Sequence, residues 1–481
     1  MPEGRVLRYA RDDSRPRASF APLDTTRRLP VVPPAGSNHL DNMPTAHRWN
    51  RPRPNATVMW LLGMVNRWFL LRGLPVLRLI PLVRDLPLGH GYFWVRGIDL
   101  PAADRAALEA AVNPTTVAFL GPNHPEFGTD WMIDKEVSTY VAPRMASWAD
   151  RGIVAAAPRF WGMNNLIAND GGDAARDYSI EWALEGEGVL LHPEGSVRWT
   201  NDRVQPLFPG IAQMAMKAAE RTAKAVYIVP LVWKYRFVRD VSGRMHREMG
   251  ILEAGLGLAR MDSLSVPLRF HALQTNILAM QMKRFGCAEL ASSADYFDRQ
   301  HAFRQFLISA LEQRHPTDGA ELPDKRIARV MRAIRAELSA LRSDNTPDAT
   351  PARERLKHEQ AMAEEAKRLG EFDRDVYGTA TLTQEQLFES LKRTRDRLLR
   401  RGWKNMIAIM LPRPFGPRVV HVGVPEPIRV NGSTLQEAQL LELTRARMQE
   451  KLDEINLRIA SAVQRYAHPN PFSGDHATPE A

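Results

Sequence analysis

Residues 117–134 read VAFLGPNHPEFGTDWMID, and this stretch decides both the fold and the candidate chemistry. A short apolar, β-prone run stops at Gly121-Pro122, and Asn123-His124 follows at once. A histidine at the mouth of a strand is within reach of a substrate. A neutral imidazole there can take a proton from a hydroxyl, and a carboxylate folded onto it fixes its tautomer and stabilises the imidazolium that forms. Asp130 can fold back onto His124 if PEFGT makes a turn entering a helix. The blander reading is a histidine that only satisfies backbone groups at a strand end. The stretch therefore predicts a strand, a turn and a helix, with a His124–Asp130 pair at the turn.

Outward from it, strand and helix patterns alternate at short intervals. GYFWVRGI (91–98) alternates as a strand, and DLPAADRAALEAAV (99–112) has helical spacing. A helix is expected from about 129 to 150, and VAAAP (154–158) reads as a small strand. DAARDYSIEWALEGE (173–187) reads as a helix, GVLLHPEG (188–195) as a strand and turn, and GIAQMAMKAAERTAK (210–224) as a helix. VYIVPLVWKYRF (226–237) is a strand. This rhythm predicts an α/β core with a largely parallel sheet. Thr383 and Gln386 suit a capping box, RVVHVGVPEPIRV (418–430) returns to strand character, and a last helix is expected over about 434–466.

The 481 residues are 44% hydrophobic and 25% charged, so most of the chain should fold, in two or three structural units. A formal net charge of +10 calls for an acidic partner: nucleic acid, anionic lipid or a phosphorylated substrate. The single cysteine, Cys287, excludes an internal disulfide and reads as a core residue. The expected partition is a disordered basic region (1–55), an apolar amphipathic segment (56–89), an α/β core (90–249), a charged helical insertion (250–404), a return to the core (405–467) and a polar tail (468–481).

VMWLLGMVNRWFLLRGLPVLRLIPL (58–82) is the most apolar stretch. A membrane span takes about 20 uninterrupted apolar residues. Arg67, Arg72 and Arg78 interrupt this one, and Gly73 with Pro75 would bend it. With Trp60 and Trp68 beside leucines, it reads as an element lying in a bilayer surface or as a helix covering the protein's own core. The run KRTRDRLLRRGWKN (392–405) reads as a solvated helix face rather than a nucleic-acid patch. RFHALQTNILAMQMKRF (269–285) reads as helix packing.

VLLHPEGSVRW (189–199) is the second constellation. Its strand ends in a turn carrying Glu194, Gly195, Ser196 and, further on, Arg198. Glycine lets a ligand approach the backbone and arginine can clamp a phosphate, whereas the plainer reading has Glu194 cap the next element. His192 beside Glu194 could suggest metal ligation, but the intervening proline spoils the spacing, and no metal is expected.

Taken in order, GPNH…D (121–130), HPEGS (192–196), LFPG (207–210), IVPL (228–231) and VGVPEPI (422–428) resemble the glycerolipid acyltransferases typified by 1-acylglycerol-3-phosphate O-acyltransferase. The resemblance covers roughly 90–240 and 418–465. It implies an acyltransferase-type mixed sheet flanked by helices, and transfer of a fatty acyl group from acyl-CoA or acyl-carrier protein to a hydroxyl of a lysophospholipid-like acceptor. By the same resemblance His124 is the general base and Asp130 orients it. Asn123, Glu194, Gly195, Ser196 and Arg198 serve the acceptor side, Pro230 shapes the donor side, and Arg159 is the nearest match to a further arginine. No cofactor is implied, since the thioester is a substrate. A peripheral place on the cytoplasmic face of an anionic membrane is implied, without nucleic acid.

The chain departs from that pattern in two places. Five residues, not four, separate His124 from Asp130, and Val197 stands where the family carries the arginine, with Arg198 one place later. These departures leave the acceptor open and keep a second reading in play: a weak or inactive lipid-binding protein whose helical insertion holds a partner.

Overall fold

The computed structural model describes residues 49–473 apart from 79, 81–86, 127, 143, 171, 196, 198, 320, 342–347 and 400–412. Its strands are β1 (Val95–Asp99), β2 (Val117–Pro122), β3 (Ala146–Ala149), β4 (Leu166–Ala168), β5 (Val189–Leu190), β6 (Val226–Phe237), β7 (Thr381–Leu382), β8 (Arg418–Gly423), β9 (Ile428–Arg429) and β10 (His468–Pro469). One sheet runs β1-β8-β6-β2-β5-β3-β4, with β9 also on β6, while β7 and β10 form a separate ribbon. In the sheet only the β6–β8 and β6–β9 pairings are antiparallel. The chain is thus α/β with a mixed, mostly parallel sheet.

Helices α1 (Ala56–Val65), α2 (Ala102–Ala111), α3 (Thr129–Val141), α4 (Arg151–Ala156), α5 (Pro158–Met163), α6 (Gly172–Leu184) and α7 (Gly210–Ala219) precede or interleave the sheet strands. Between β6 and β8 come α8 (Ser242–Leu256), α9 (Val266–Arg284), α10 (Tyr296–Glu312), α11 (Pro323–Ala340), α12 (Ala349–Gly370) and α13 (Gln384–Leu398). Finally, α14 (Glu437–Gln464) follows β9.

Both faces of β2 are covered, which is why its sequence is apolar throughout. Ala118 and Leu120 pack with Met132, Ile133 and Val137 of α3, whereas Val117 and Phe119 pack with Ile211, Ala212 and Ala215 of α7. Burying each leucine or phenylalanine contributes about 1.5–3 kcal/mol, so this strand belongs at the centre of the sheet. Pro230 sits opposite Gly121 in the β2–β6 pairing. On the other edge β6 pairs with β9 at Tyr227 and Ile228, and with β8 from Val232 onward. Pro230 falls in the gap between those two partners, so its missing N–H interrupts no ladder.

The sequence reading is corrected at several points. The helix expected to reach 150 ends at Val141, and Ala146–Ala149 is β3. Ala142, which precedes Pro143, is held at φ −147°, outside the helical region that a following proline disfavours. VAAAP is not a strand: α4 covers Arg151–Ala156, opened by the Asp150 side chain accepting from the Gly152 N–H at 2.8 Å. Alanine is the best helix former, and a good N-cap is enough to win this short segment. Residues 468–473 are no free tail. Asn470 and Phe472 are buried against the insertion, where Phe472 packs on Phe270, Tyr296 and Phe372. The helical insertion has its own core, and α13 is its most enclosed helix, although the run 392–405 that begins in it reads as a solvated face; 400–405 lie outside the described residues. Lys392 and Arg395 pair with Glu248, and Arg397 pairs with Glu371. The Thr383–Gln386 capping box is formed as expected, and Cys287 is buried.

Among the described residues no helix is long and apolar enough to cross a membrane. The 56–78 segment is instead pinned to α3, because Arg67 and Arg72 both bond the buried Glu136 at 3.1 Å. Met59 and Leu71 are buried beneath it, while Trp60, Leu61, Phe69 and Val76 are exposed. Leu82 and the rest of 81–86 lie outside the described residues.

Candidate active site

The candidate site is built where β2 runs out. β6 continues past the end of β2, leaving the Trp233 and Tyr235 backbones without a strand partner on that side. Two asparagines fill the vacancy. Asn123 accepts from the Trp233 N–H at 2.8 Å and donates to its carbonyl at 3.1 Å, and Asn201 does the same for Tyr235 at 2.9 and 2.7 Å. Asn123 therefore holds the loop. Its neighbour His124 is fixed at the strand mouth, with its backbone N–H donated to Glu194 at 3.2 Å.

The turn after His124 absorbs the extra residue through Gly128, whose φ of +77° is strained for any residue with a Cβ. α3 starts directly behind it, so Asp130 lies in the first helical turn, where the helix dipole favours a carboxylate. Asp130 Oδ2 lies 2.8 Å from His124 Nδ1 and accepts the Glu126 N–H at 2.8 Å. Its other oxygen accepts the Tyr235 hydroxyl. With Nδ1–H donated to this carboxylate, the lone pair of His124 is on Nε2, which has no hydrogen-bond partner among the described residues. The His124 side chain is 18% exposed and Asp130 fully enclosed, so the imidazole alone is presented outward.

A second pair backs the first. His192 stacks on His124 with ring centroids 4.0 Å apart and planes 14° from parallel. Its Nδ1 lies 2.9 Å from the Asn123 carbonyl oxygen and its Nε2 2.9 Å from Asp134 Oδ2. Asp130 and Asp134 are four residues apart on α3, one helical turn, so both carboxylates face the two stacked imidazoles.

Burial, and then the charge of His192, hold the pKa of His124 well below the usual histidine range. Burial also pushes Asp130 well above the usual carboxylate range, opposed by His192, the Tyr235 hydroxyl and the Glu126 amide. Burial and the adjacent Asp130 raise the Tyr235 phenol well above its ordinary value, so it remains a donor. Beneath the dyad, Arg418 bonds Glu126 at 2.6 Å and lies 4.7 Å over the Tyr235 ring. A small cavity of about 20 Å³ between this layer and α13 is lined by Glu126, Tyr235, Trp199, Phe388 and Arg418 among others.

The remaining predicted residues divide. Glu194 is buried, and its two oxygens accept the His124 and Gln205 backbone amides, both at 3.2 Å, so it clips two loops together. Gly195 has φ +69°, and a Cβ there would come within 2.6 Å of the Phe208 ring, so glycine is required. Arg159 is exposed on α5 and makes no contact with the dyad. Pro230 is a sheet residue, as described. Ser196 and Arg198 lie outside the described residues.

Sequence reasoning missed Tyr235, Asn201 and Arg418, which read as strand or loop filler, and it did not pair His192 with Asp134. The four-residue spacing of Asp130 and Asp134 was the available signal for that pairing. No group of three or more metal-ligating side chains occurs among the described residues. The arrangement can deprotonate a weakly acidic donor at His124 Nε2 and return the proton to a leaving group. Compared with known proteins, the chain matches no family model and no curated sequence, so its chemistry rests on this geometry.

Proposed function

We propose that the protein is an O-acyltransferase that moves a fatty acyl group from an acyl thioester to a hydroxyl of a lysophospholipid-like acceptor at a membrane surface. The observation that carries the reading is the His124–Asp130 pair, closed at 2.8 Å despite the extra residue between them, with Nε2 turned outward. The ordered motifs that resemble the glycerolipid acyltransferases supply the substrate class.

His124 Nε2 takes the hydroxyl proton as the acceptor oxygen attacks the thioester carbonyl. Asp130, held by Tyr235 and the Glu126 amide, fixes the imidazole and stabilises its charged form. Collapse of the tetrahedral intermediate breaks the C–S bond, and the proton on Nε2 passes to the departing sulfur. Phe208, exposed beside Gly195, offers an apolar lip suited to an acyl chain.

The test is acyl transfer by purified protein from labelled long-chain acyl-CoA or acyl-carrier protein to a panel of lysolipids, beside His124→Ala. Turnover lost in the variant is the expected result. Turnover that persists unchanged removes His124 as the base, and its absence for every donor and acceptor favours the lipid-binding reading.

A further inference from the structure

The two ring nitrogens of His192 both face acceptors. The Asn123 carbonyl can only accept, so Nδ1 must carry a hydrogen. The contact from Nε2 to Asp134 Oδ2, at 2.9 Å, also needs a hydrogen between the atoms. The pair therefore holds one proton more than a neutral imidazole beside a carboxylate would. The proton is shared between His192 and Asp134; carried by the imidazole, it lies in a ring stacked face to face on His124 at 4.0 Å. Glu194 and Asn123 fix both rings through the backbone, so the stack cannot easily part.

We propose that His192, kept as an imidazolium by Asp134, is a positioning residue that sets the proton affinity of His124 and speeds delivery of the proton to the leaving group. The proposal rests on the acyltransferase reading for the leaving group, but not for the charge in the stack. In the resting site a cation against His124 disfavours its protonation and keeps Nε2 available as a base. After the acceptor hydroxyl gives its proton to Nε2, two imidazolium rings face each other. The repulsion favours release of that proton to the sulfur as the C–S bond breaks, while His192 keeps its own proton throughout.

The charged and titratable groups facing the stack are Asp130 and Asp134 from α3, Glu126 and Glu194 from the adjoining turns, and Tyr235 from β6. Burial alone would push His192 down. The charge and hydrogen bond of Asp134, together with Asp130 and the Asn123 carbonyl, outweigh it and push His192 up to about 9.

Two measurements test this. Imidazole nitrogen NMR of the full chain should show His192 with both nitrogens protonated at neutral pH, and His124 neutral with its hydrogen on Nδ1. In Asp134→Asn, which keeps the stack and removes the extra proton, the His124 titration should move upward by about one pH unit. His192→Phe, which keeps a stacked ring without charge, should move it likewise. The acid limb of kcat/KM for acyl transfer should follow the same shift.

A neutral His192 at pH 7, or a His124 titration unmoved in a variant that folds, overturns the proposal. If acyl transfer is absent from every protein, the function fails while the NMR result still decides whether the stack is charged. If transfer occurs with an unshifted acid limb, the role in turnover is overturned.

Discussion

Arg418 and Glu126 meet at 2.6 Å across 292 residues of chain, in an ion pair with both side chains almost wholly enclosed. Glu126 lies in the turn that carries His124, and its amide bonds Asp130, whereas Arg418 opens the strand that follows the insertion. The pair thus ties the late strand to the turn that carries His124. Arg418→Met should leave Glu126 buried and unpaired and cost about 3–5 kcal/mol in urea unfolding. Adding Glu126→Gln to Arg418→Met should recover part of that loss, because the uncompensated charge is then gone. Equal stability of the single and double variants would show that the charge is not the cause.

The carboxylate of Asp130 does more than lie near His124, since it selects the tautomer. In Asp130→Asn the side-chain amide can donate to Nδ1, which moves the imidazole hydrogen to Nε2 and removes the base. Transfer should fall by about 10²–10⁴-fold in kcat with little loss of fold. Tyr235→Phe removes one donor to Asp130 but leaves the tautomer intact, so its effect should be much smaller. A Tyr235→Phe loss as deep as that of Asp130→Asn would place the phenol itself in proton transfer.

Stability should depend on pH through His192. Its folded pKa of about 9 exceeds the unfolded value near 6.5, so the stabilisation is fully present below pH 6.5 and is lost as pH rises through about 9. The gap corresponds to roughly 3 kcal/mol at most. Urea midpoints taken from pH 6 to pH 10 should fall over that window for the native chain. His192→Phe should flatten the fall, leaving the contributions of other groups. His124 acts in the opposite sense: its depressed pKa means stability present above 6.5 declines as the solution is acidified.

The sheet class and the His124–Asp130 pair were legible because both rest on local pattern. Continuous apolar runs such as 117–120 and 226–233 follow from burial on two faces, and a His-to-Asp spacing closes over a single turn. The jobs of Asn123 and Glu194 were not legible. Both satisfy backbone groups of distant segments, and which groups lack partners depends on where β2 stops relative to β6. The same holds for α13, whose lysine and arginines look solvent-facing until Glu248 and Glu371 are brought against them. His192 and Asp134 lie 58 residues apart, and only the parallel placement of β5 beside β2 joins them.

The proposed attachment to a membrane makes its own demand on the 56–78 segment. Arg67 and Arg72 point inward to Glu136, which leaves Trp60, Leu61, Phe69 and Val76 on the outer side, Trp60 at 66% exposed and Val76 at 71%. Tryptophan and aliphatic side chains at such a surface suit the headgroup boundary, and the net charge of +10 would draw the chain to anionic lipid. Co-flotation with vesicles of phosphatidylglycerol and phosphatidylcholine should weaken as salt rises from 0.05 to about 0.5 M, because the Debye length shortens from above to below 10 Å. Trp60→Ser combined with Phe69→Ser should lower binding at all salt concentrations while leaving the urea midpoint unchanged, since neither side chain packs in the core. Arg67→Gln should do the reverse, destabilising the segment by uncovering Glu136 before it alters lipid binding. If the serine variant floats as well as the native chain, these residues cover another surface and the arginines of the described core alone hold the protein to lipid.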